Sequence, residues 1–359
     1  MIVFIYGTTA EAIKLAPIMR RLDARGIPYE HWLTMQHTEA LRKILPQLGL
    51  REPDRIIADG NGGKPLRRPT DVIGWGWQAF RWILKNRSEL KRTLPANTVV
   101  VVHGDTMTSV VGAFIAWRLG VPSAHVEAGL RSGNWRHPFP EELDRRIVGR
   151  MASVHYTPSD VATANLQGRK NVVQTHGNTV TDAVLDHDEV EAEPGQQYGL
   201  ALLHRFEFIS NEQLVQDTIR TLVDSSPVPI RLLVDAYNTE TLERVLATVQ
   251  AGERVVIEAK KSHSEFVILL KRAEFVITDS GGVQEESALL GIPTLVHRVA
   301  TERQDGIGRN VVLSGWDLGA VRDFLSDTES HRFPPQRPPV SPSDIVVEDL
   351  IARGFGTPE

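Results

Sequence analysis

The run Phe275-Val-Ile-Thr-Asp-Ser-Gly-Gly-Val-Gln-Glu-Glu-Ser-Ala-Leu-Leu290 passes from an apolar segment through two adjacent glycines into a helix-period segment. Phe275–Thr278 predicts a buried strand and Gln284–Leu290 a helix, which together make half of a βαβ unit. Such units imply a parallel sheet covered by helices. The turn also carries chemistry. Gly281 and Gly282 let backbone N–H groups approach an anion without a Cβ in the way, Ser280 adds a hydroxyl, and the helix dipole favours negative charge. Pyrophosphate fits all three features, and a tight turn capped by Asp279 or Ser280 explains the same residues structurally. One turn further in, a carboxylate at Glu286 suits a ribose diol, from which it can accept two hydrogen bonds. Glu285 reads as a solvated helix-face residue.

Outward from this run the rhythm repeats. Leu200–Leu203, Ile230–Asp235, Val255–Glu258 and Thr294–His297 predict strands, with helices over Glu212–Asp224, Thr239–Thr248 and Ser264–Lys271. A first series precedes it. Strands are predicted at Ile2–Tyr6, Tyr29–Thr34, Thr98–Val102 and Ser123–Val126, and helices at Glu11–Arg25, Glu39–Leu48, Asp71–Thr93 and Ser109–Leu119. A chain of 359 residues exceeds what one core usually serves. The expectation is an α/β protein of two Rossmann-like domains: 1–175, 176–342, and a terminal helix at 343–359 that returns to the first. The acidic stretch Asp186–Gly199, with Pro194-Gly195, marks the region of the boundary. Trp75, Trp77 and Trp82 read as core packing or a subunit contact. The glycine-rich segment 59–63 reads as a mobile surface loop.

Ligands of open parallel sheets bind beyond the carboxyl ends of the strands. His103, Asp105 and Glu127 stand at such positions. Pro140 before Glu141 and Glu142 fits a helix start, where the dipole stabilises acids whether or not they are catalytic. Several carboxylates near Arg131, Arg145 and Arg146 form the arrangement that separates pKa values for acid/base work. His204-Arg205 follows a strand and is a candidate phosphate or leaving-group contact. The turn at Gly7 lacks G-x-G-x-x-G, which argues against a dinucleotide site, and Lys14 is read either as a ligand contact or as a lysine snorkelling off its helix.

Composition excludes other classes. A net charge of −5 gives no general attraction for nucleic acid or an anionic membrane. With no cysteine there is no disulfide, thiolate metal site or Cys nucleophile, and a cytoplasmic location is compatible. The first six apolar residues read as a strand, not a leader, and no run approaches the ~18 apolar residues of a spanning helix. The histidines lack metal-ligand spacing, so no metal is expected.

The chain resembles the bacterial UDP-N-acetylglucosamine 2-epimerases. The resemblance rests on Gly7-Thr8, Glu11-Ala-Ile-Lys14, Ala16-Pro17, Gln36-His37, His103-Gly-Asp-Thr106, His125-Val-Glu-Ala-Gly-Leu-Arg131, Pro140-Glu-Glu142 with Arg145, Gly177-Asn-Thr-Val180, His204-Arg205, Thr278–Glu286 and Thr301-Glu-Arg303. These blocks run in order over about residues 1–310. The resemblance implies the glycosyltransferase-B type of double Rossmann fold, with a ligand cleft between the domains. It implies epimerisation of UDP-GlcNAc to UDP-ManNAc by anti elimination of UDP and its return to 2-acetamidoglucal. Carried onto this sequence, it makes Asp105, Glu127 and Glu141 the acid/base carboxylates, with Arg145 beside them and His204 serving both catalysis and binding. His204, Arg205, Ser280, Gly281 and Gly282 would hold the diphosphate, Glu286 the ribose, and Lys14 and Arg303 further parts of the substrate. No cofactor is implied, the partner is a UDP-sugar, and a homodimer is expected.

The chain departs from the family pattern at Thr9 and Ala10, where Arg-Pro is usual, at Leu203 in place of glycine, and at Thr38 in place of arginine. The glycine segment after Pro53-Asp54 replaces a Tyr-Asp-Leu-Asn-like run, in a region that contributes to an allosteric UDP-GlcNAc site in the non-hydrolysing enzymes. Other readings are a hydrolysing relative that releases UDP and ManNAc, a glycosyltransferase on the same fold, and a nucleotide-sugar sensor.

Overall fold

A computed structural model describes residues 1–36, 38–60, 69–132, 140–186, 197–235, 238–301 and 303–356. Residues 61–63 of the segment read as a mobile loop, His37, Pro138 and most of the expected boundary stretch lie outside the described residues. The chain divides into two compact units, Met1–Asp186 with Pro338–Glu359, and His187–Arg337.

The first unit runs β1 (Ile2–Tyr6), α1 (Thr9–Ala24), β2 (Tyr29–Leu33), α2 (Thr38–Gln47), β3 (Arg55–Ile56), α3 (Pro69–Thr93), β4 (Val99–His103), α4 (Met107–Leu119), β5 (Ser123–Val126), α5 (Glu141–Met151), β6 (Val154–Thr157), α6 (Asp160–Ala164), β7 (Val172–Gln174) and α7 (Val180–Leu185). Its seven strands lie in the order β3-β2-β1-β4-β5-β6-β7, every pair parallel. The apolar runs of β1 and β4 are buried along their whole length because helices cover both faces. One face packs Phe4, Tyr6 and Val101 with α1, the other Val3, Ile5 and Val102 with α3 and α4.

The second unit runs β8 (Gly199–Leu202), α8 (Phe206–Ile209), α9 (Glu212–Ser225), β9 (Ile230–Val234), α10 (Thr239–Val249), β10 (Val255–Ala259), α11 (His263–Arg272), β11 (Phe275–Thr278), α12 (Gly281–Leu290), β12 (Thr294–Val296), β13 (Val311–Leu313) and α13 (Leu318–Ser326). Its six parallel strands lie in the order β10-β9-β8-β11-β12-β13. The last helix, α14 (Pro342–Ala352), belongs to the first unit, where Val346, Val347 and Leu350 join the core beside α1. Ser343 donates its N–H to Asp182 at 2.8 Å, Arg25 reaches Asp344 at 3.0 Å and Tyr156 donates to Asp349 at 2.8 Å. The first unit extends past residue 175 to Asp186 because α7 also packs on α1.

The elements the sequence reading passes over are β3, β6, β7, β13 and the short helices α6, α7, α8 and α13. Val154-His-Tyr-Thr157 alternates as an edge-like polar run yet is wholly buried. α12 starts at Gly281, three residues before the expected Gln284, since Ser280 caps it.

Candidate functional site

Strand order reverses between β1 and β4 in the first sheet and between β8 and β11 in the second. At such a reversal two neighbouring strands send their following turns to opposite faces, leaving a crevice at their carboxyl ends. The first sheet brings the turn after β1 beside the turn after β4, and the second brings His204-Arg205 beside Asp279-Ser280.

In the first unit, β5 ends at Val126 and the chain turns at Glu127 with φ +63°. A non-glycine residue held in this left-handed region costs about 1–3 kcal/mol and persists only where its surroundings over-determine it. They do so here. Lys14, buried on α1, reaches Glu127 Oε1 at 2.8 Å, so it is a buried ion-pair partner and not a lysine snorkelling off the helix. The Asn178 side-chain amide donates to the same oxygen, and His103 Nε2 lies 3.8 Å from the other. Next to it Gly129, φ +86°, packs so closely on the Ala162 carbonyl that a Cβ would collide with it. His125 Nε2 donates to the Gly104 carbonyl at 2.7 Å, and burial drives its pKa down to about 4, so it is neutral.

Asp105, in the turn after β4, is gripped by Arg145 Nη2 at 2.5 Å. Arg145 Nη1 lies 3.5 Å from Glu142, which is wholly buried and also takes the Ser132 N–H at 3.0 Å and Arg146 Nε at 2.9 Å. Glu142 therefore fastens the start of α5. Glu141, one residue earlier, has a buried Oε2 with no hydrogen-bond partner among the described residues. Arg131 donates to the Leu130 carbonyl at 2.6 Å and is not in an ion pair with these acids among the described residues.

Two acids in this unit escape the sequence reading. Asp144 looks like a solvated first-turn residue but is buried, and burial, followed by the charges of Asp105 and Glu141, raises its pKa to about 7. Glu11 fills the amino end of its own helix: it accepts the N–H groups of Gly7 (3.0 Å) and Thr8 (2.9 Å), the Thr8 hydroxyl (2.8 Å) and the Thr106 hydroxyl (2.7 Å). Burial outweighs those bonds and lifts Glu11 to about 7.

The second unit has the reverse character. The first turn of α12 holds no acid, and the N–H groups of Gly281 and Gly282 have no acceptor among the described residues. Ser280 accepts the Val283 N–H at 3.5 Å, which leaves its own O–H available. Beside it, Asp279 accepts the backbone N–H groups of His204 and Arg205, both at 2.8 Å, and Arg205 Nε donates to the Asp279 carbonyl at 2.8 Å. Glu286 is buried and 3.1 Å from His263 Nε2. Glu285 is not a solvated residue: it is buried and takes Arg303 Nη1 at 2.9 Å. Gln284 fastens the segment around Arg303, donating to the carbonyls of Arg303 and Asp305 at 3.3 and 3.1 Å and accepting from Thr301 at 2.8 Å.

Residues 24–329 match the family model described as UDP-N-acetylglucosamine 2-epimerase. The chain belongs to this family. The UDP-N-acetylglucosamine 2-epimerase of Methanocaldococcus jannaschii is 30% identical over 86% of this chain and 87% of its own. That of Salmonella typhimurium is 31% identical over 91% of each. Among solved structures, the UDP-GlcNAc 2-epimerase of Neisseria meningitidis bound to UDP-GlcNAc superposes with a TM-score of 0.79 at 25% identity, covering 98% of this chain and 99% of that one. The family's two-sheet glycosyltransferase-B architecture is thus that of this chain.

Asn178, Asp144, Glu11 and His263 are residues around these positions to which sequence reasoning assigned no role, and Asp279 was read only as a cap. Asn178 stands 51 residues from Glu127 and His263 stands 23 from Glu286. Only Asp279 carried a local signal, a buried-strand exit followed by a capping serine.

Proposed function

We propose that this chain interconverts UDP-GlcNAc and UDP-ManNAc by anti elimination of UDP to give 2-acetamidoglucal, followed by re-addition of UDP at C1 and protonation of C2 on the opposite face. The observation that carries the reading is the Glu127 carboxylate, held at a costly backbone angle by Lys14 and Asn178 in a chain of this family. A base must remove the proton at C2 while the C1–O bond breaks and its electron pair leaves on the diphosphate. A second acid/base group must return a proton to C2 from the other face. Asp105, Glu127 and Glu141 supply these groups, and Arg145 fixes Asp105. His204, Arg205, Ser280 and the N–H groups of Gly281 and Gly282 hold the diphosphate, so that UDP stays bound while the glycal exists. Glu286 takes the ribose diol, Lys14 braces the catalytic carboxylate, and Arg303 lies at the substrate's edge.

Incubation with UDP-GlcNAc in D₂O, followed by proton NMR, tests the proposal. UDP-ManNAc with deuterium at C2 is the expected product. Free ManNAc accumulating with UDP would identify a hydrolysing enzyme, and a product without deuterium, or no product from any UDP-HexNAc, would overturn the reading.

A homodimer belongs to the same proposal. Trp77, Phe80, Phe114 and Trp117 form a ladder of rings across α3 and α4, with centroids 5.4, 6.3 and 5.6 Å apart. Trp77, Trp117, Ile73 and Leu84 are exposed beside it, whereas Trp75 is buried and Trp82 packs on Trp32. An apolar stripe of this kind is self-complementary across a twofold axis. Trp77→Asp with Trp117→Asp is expected to convert a dimer to a monomer in sedimentation. Among the described residues no helix is long and apolar enough to cross a membrane. We place the enzyme in the cytoplasm, a setting compatible with a cysteine-free chain.

A further inference from the structure

We propose that Asp279 is a positioning residue that fixes the tautomer and orientation of His204, so that His204 presents Nε2 as the nitrogen facing the ligand. Asp279 is wholly buried at the end of β11. Its two oxygens divide the work. Oδ2 accepts the backbone N–H groups of His204 and Arg205 at 2.8 Å each, which sets the path of the chain as it leaves β8. Oδ1 lies 3.1 Å from His204 Nδ1. Neither Oδ1 nor Nδ1 has another hydrogen-bond partner among the described residues, and both are buried. A small rotation of the ring aligns the one donor and the one acceptor that remain.

Buried polar atoms are paired in nearly all proteins, so an unmatched donor-acceptor pair within 3.1 Å points to a bond between the two. A carboxylate can only accept, so the proton on that side must sit on Nδ1. The other nitrogen, Nε2, is then free to engage a phosphate oxygen. Nε2 donates to a phosphate oxygen when the ring is charged, whereas in the neutral ring it offers a lone pair that takes a ligand O–H and not an unprotonated phosphate oxygen. The side chain of His204 is a third exposed, so Nε2 remains within reach of a ligand while Nδ1 is fixed. His297 is the other imidazole beside Asp279, but its nitrogens are taken by Thr218 at 3.0 Å and Ser314 at 2.9 Å. Burial lowers its pKa to about 4, so it stays neutral and does not compete for the carboxylate.

This inference rests on the proposed contact of His204 with the diphosphate, yet its central measurement does not depend on it. Nitrogen NMR of the ¹⁵N-histidine-labelled full chain at pH 8, with His204 assigned by its loss in His204→Gln, reads the tautomer directly. The expected wild-type form carries its proton on Nδ1. Asp279→Asn keeps an oxygen for the two backbone N–H groups and can turn an NH₂ toward Nδ1, so the proton should move to Nε2. In that variant kcat should fall about 10²-fold while UDP affinity stays within about threefold. The same His204 tautomer in wild type and Asp279→Asn would overturn the proposal, as would an Nε2 proton in the wild type. Should Asp279→Asn not fold, the wild-type tautomer alone still decides. A correct tautomer in a protein that turns over no UDP-HexNAc would sink the functional reading and leave this one standing.

Discussion

Two helices that follow strands at the reversal of each sheet, α1 after β1 and α12 after β11, treat the same physical problem in opposite ways. Each amino end presents unpaired N–H groups with partial positive charge. In α1 that charge is met from within: Glu11 closes a capping box on Thr8 and takes the Gly7 N–H as well, so a carboxyl group of the chain itself already stands at this end. In α12 no acid stands in the first turn, and two glycines with a hydroxyl remain open. The first unit accordingly collects carboxylates and neutralises them with Lys14 and Arg145, and the second collects donors. On the proposed function, one architecture serves proton chemistry in one half and anion binding in the other, with the difference resting on a few residues at strand ends.

The largest effects come from breaking the acidic half. Asp105→Asn or Glu127→Gln is expected to lower C2 deuterium exchange by about 10³-fold while UDP affinity, by calorimetry, stays within a few fold. Comparable losses in both measurements would mean that these carboxylates hold the nucleotide, and the contrast between the units would collapse. Lys14→Met removes the ammonium from a buried pair and should destabilise the fold by about 3 kcal/mol in denaturant unfolding. Lys14→Met with Glu127→Gln should recover most of that, because the charge left behind is gone too. A double variant no more stable than Lys14→Met would show that the lysine contributes through packing alone.

A smaller effect concerns Asp144. Its pKa is raised from 3.8 to about 7, so the folded state holds a proton that the unfolded state has lost. Between those values the native form binds more protons, and stability falls as pH rises toward 7. Asp144→Asn should therefore match the wild type near pH 4 and exceed it at pH 8, by about 1–2 kcal/mol once screening is allowed for. Thermal unfolding at both pH values checks this, and an asparagine variant less stable at pH 8 would refute it.

Much of the fold was legible because β-branched runs such as Val99–Val102 are long enough for their period to speak, and the turns after them carry glycine or a cap. Three-residue strands such as Val172–Gln174 were not, since register in the sheet, rather than local preference, makes them strands. The site divides in the same manner. Asp105, Glu127, His204 and Ser280 stand at strand exits, which topology alone marks. Their partners do not: Lys14 is 113 residues from Glu127, and nothing local distinguishes it from a surface lysine. Glu285 and Asp144 were hidden for a related reason. On a helix, burial depends on what packs against the face, and that information lies elsewhere in the chain.

The smallest effect sharpens the comparison most, because Ser280 has two possible duties. As the cap of α12 its oxygen accepts from Val283, a long bond of 3.5 Å. As a ligand group its hydrogen would go to a phosphate oxygen, and a hydroxyl can do both at once. Ser280→Ala removes both and should cost about 1 kcal/mol in UDP binding, near fivefold. Ser280→Gly separates them, since glycine costs a helix cap only a few tenths of a kcal/mol relative to serine. If the hydroxyl binds phosphate, alanine and glycine variants should lose UDP affinity equally although their melting temperatures differ. If it only caps, affinity should return with glycine, and α12 would hold its anion through backbone N–H groups alone.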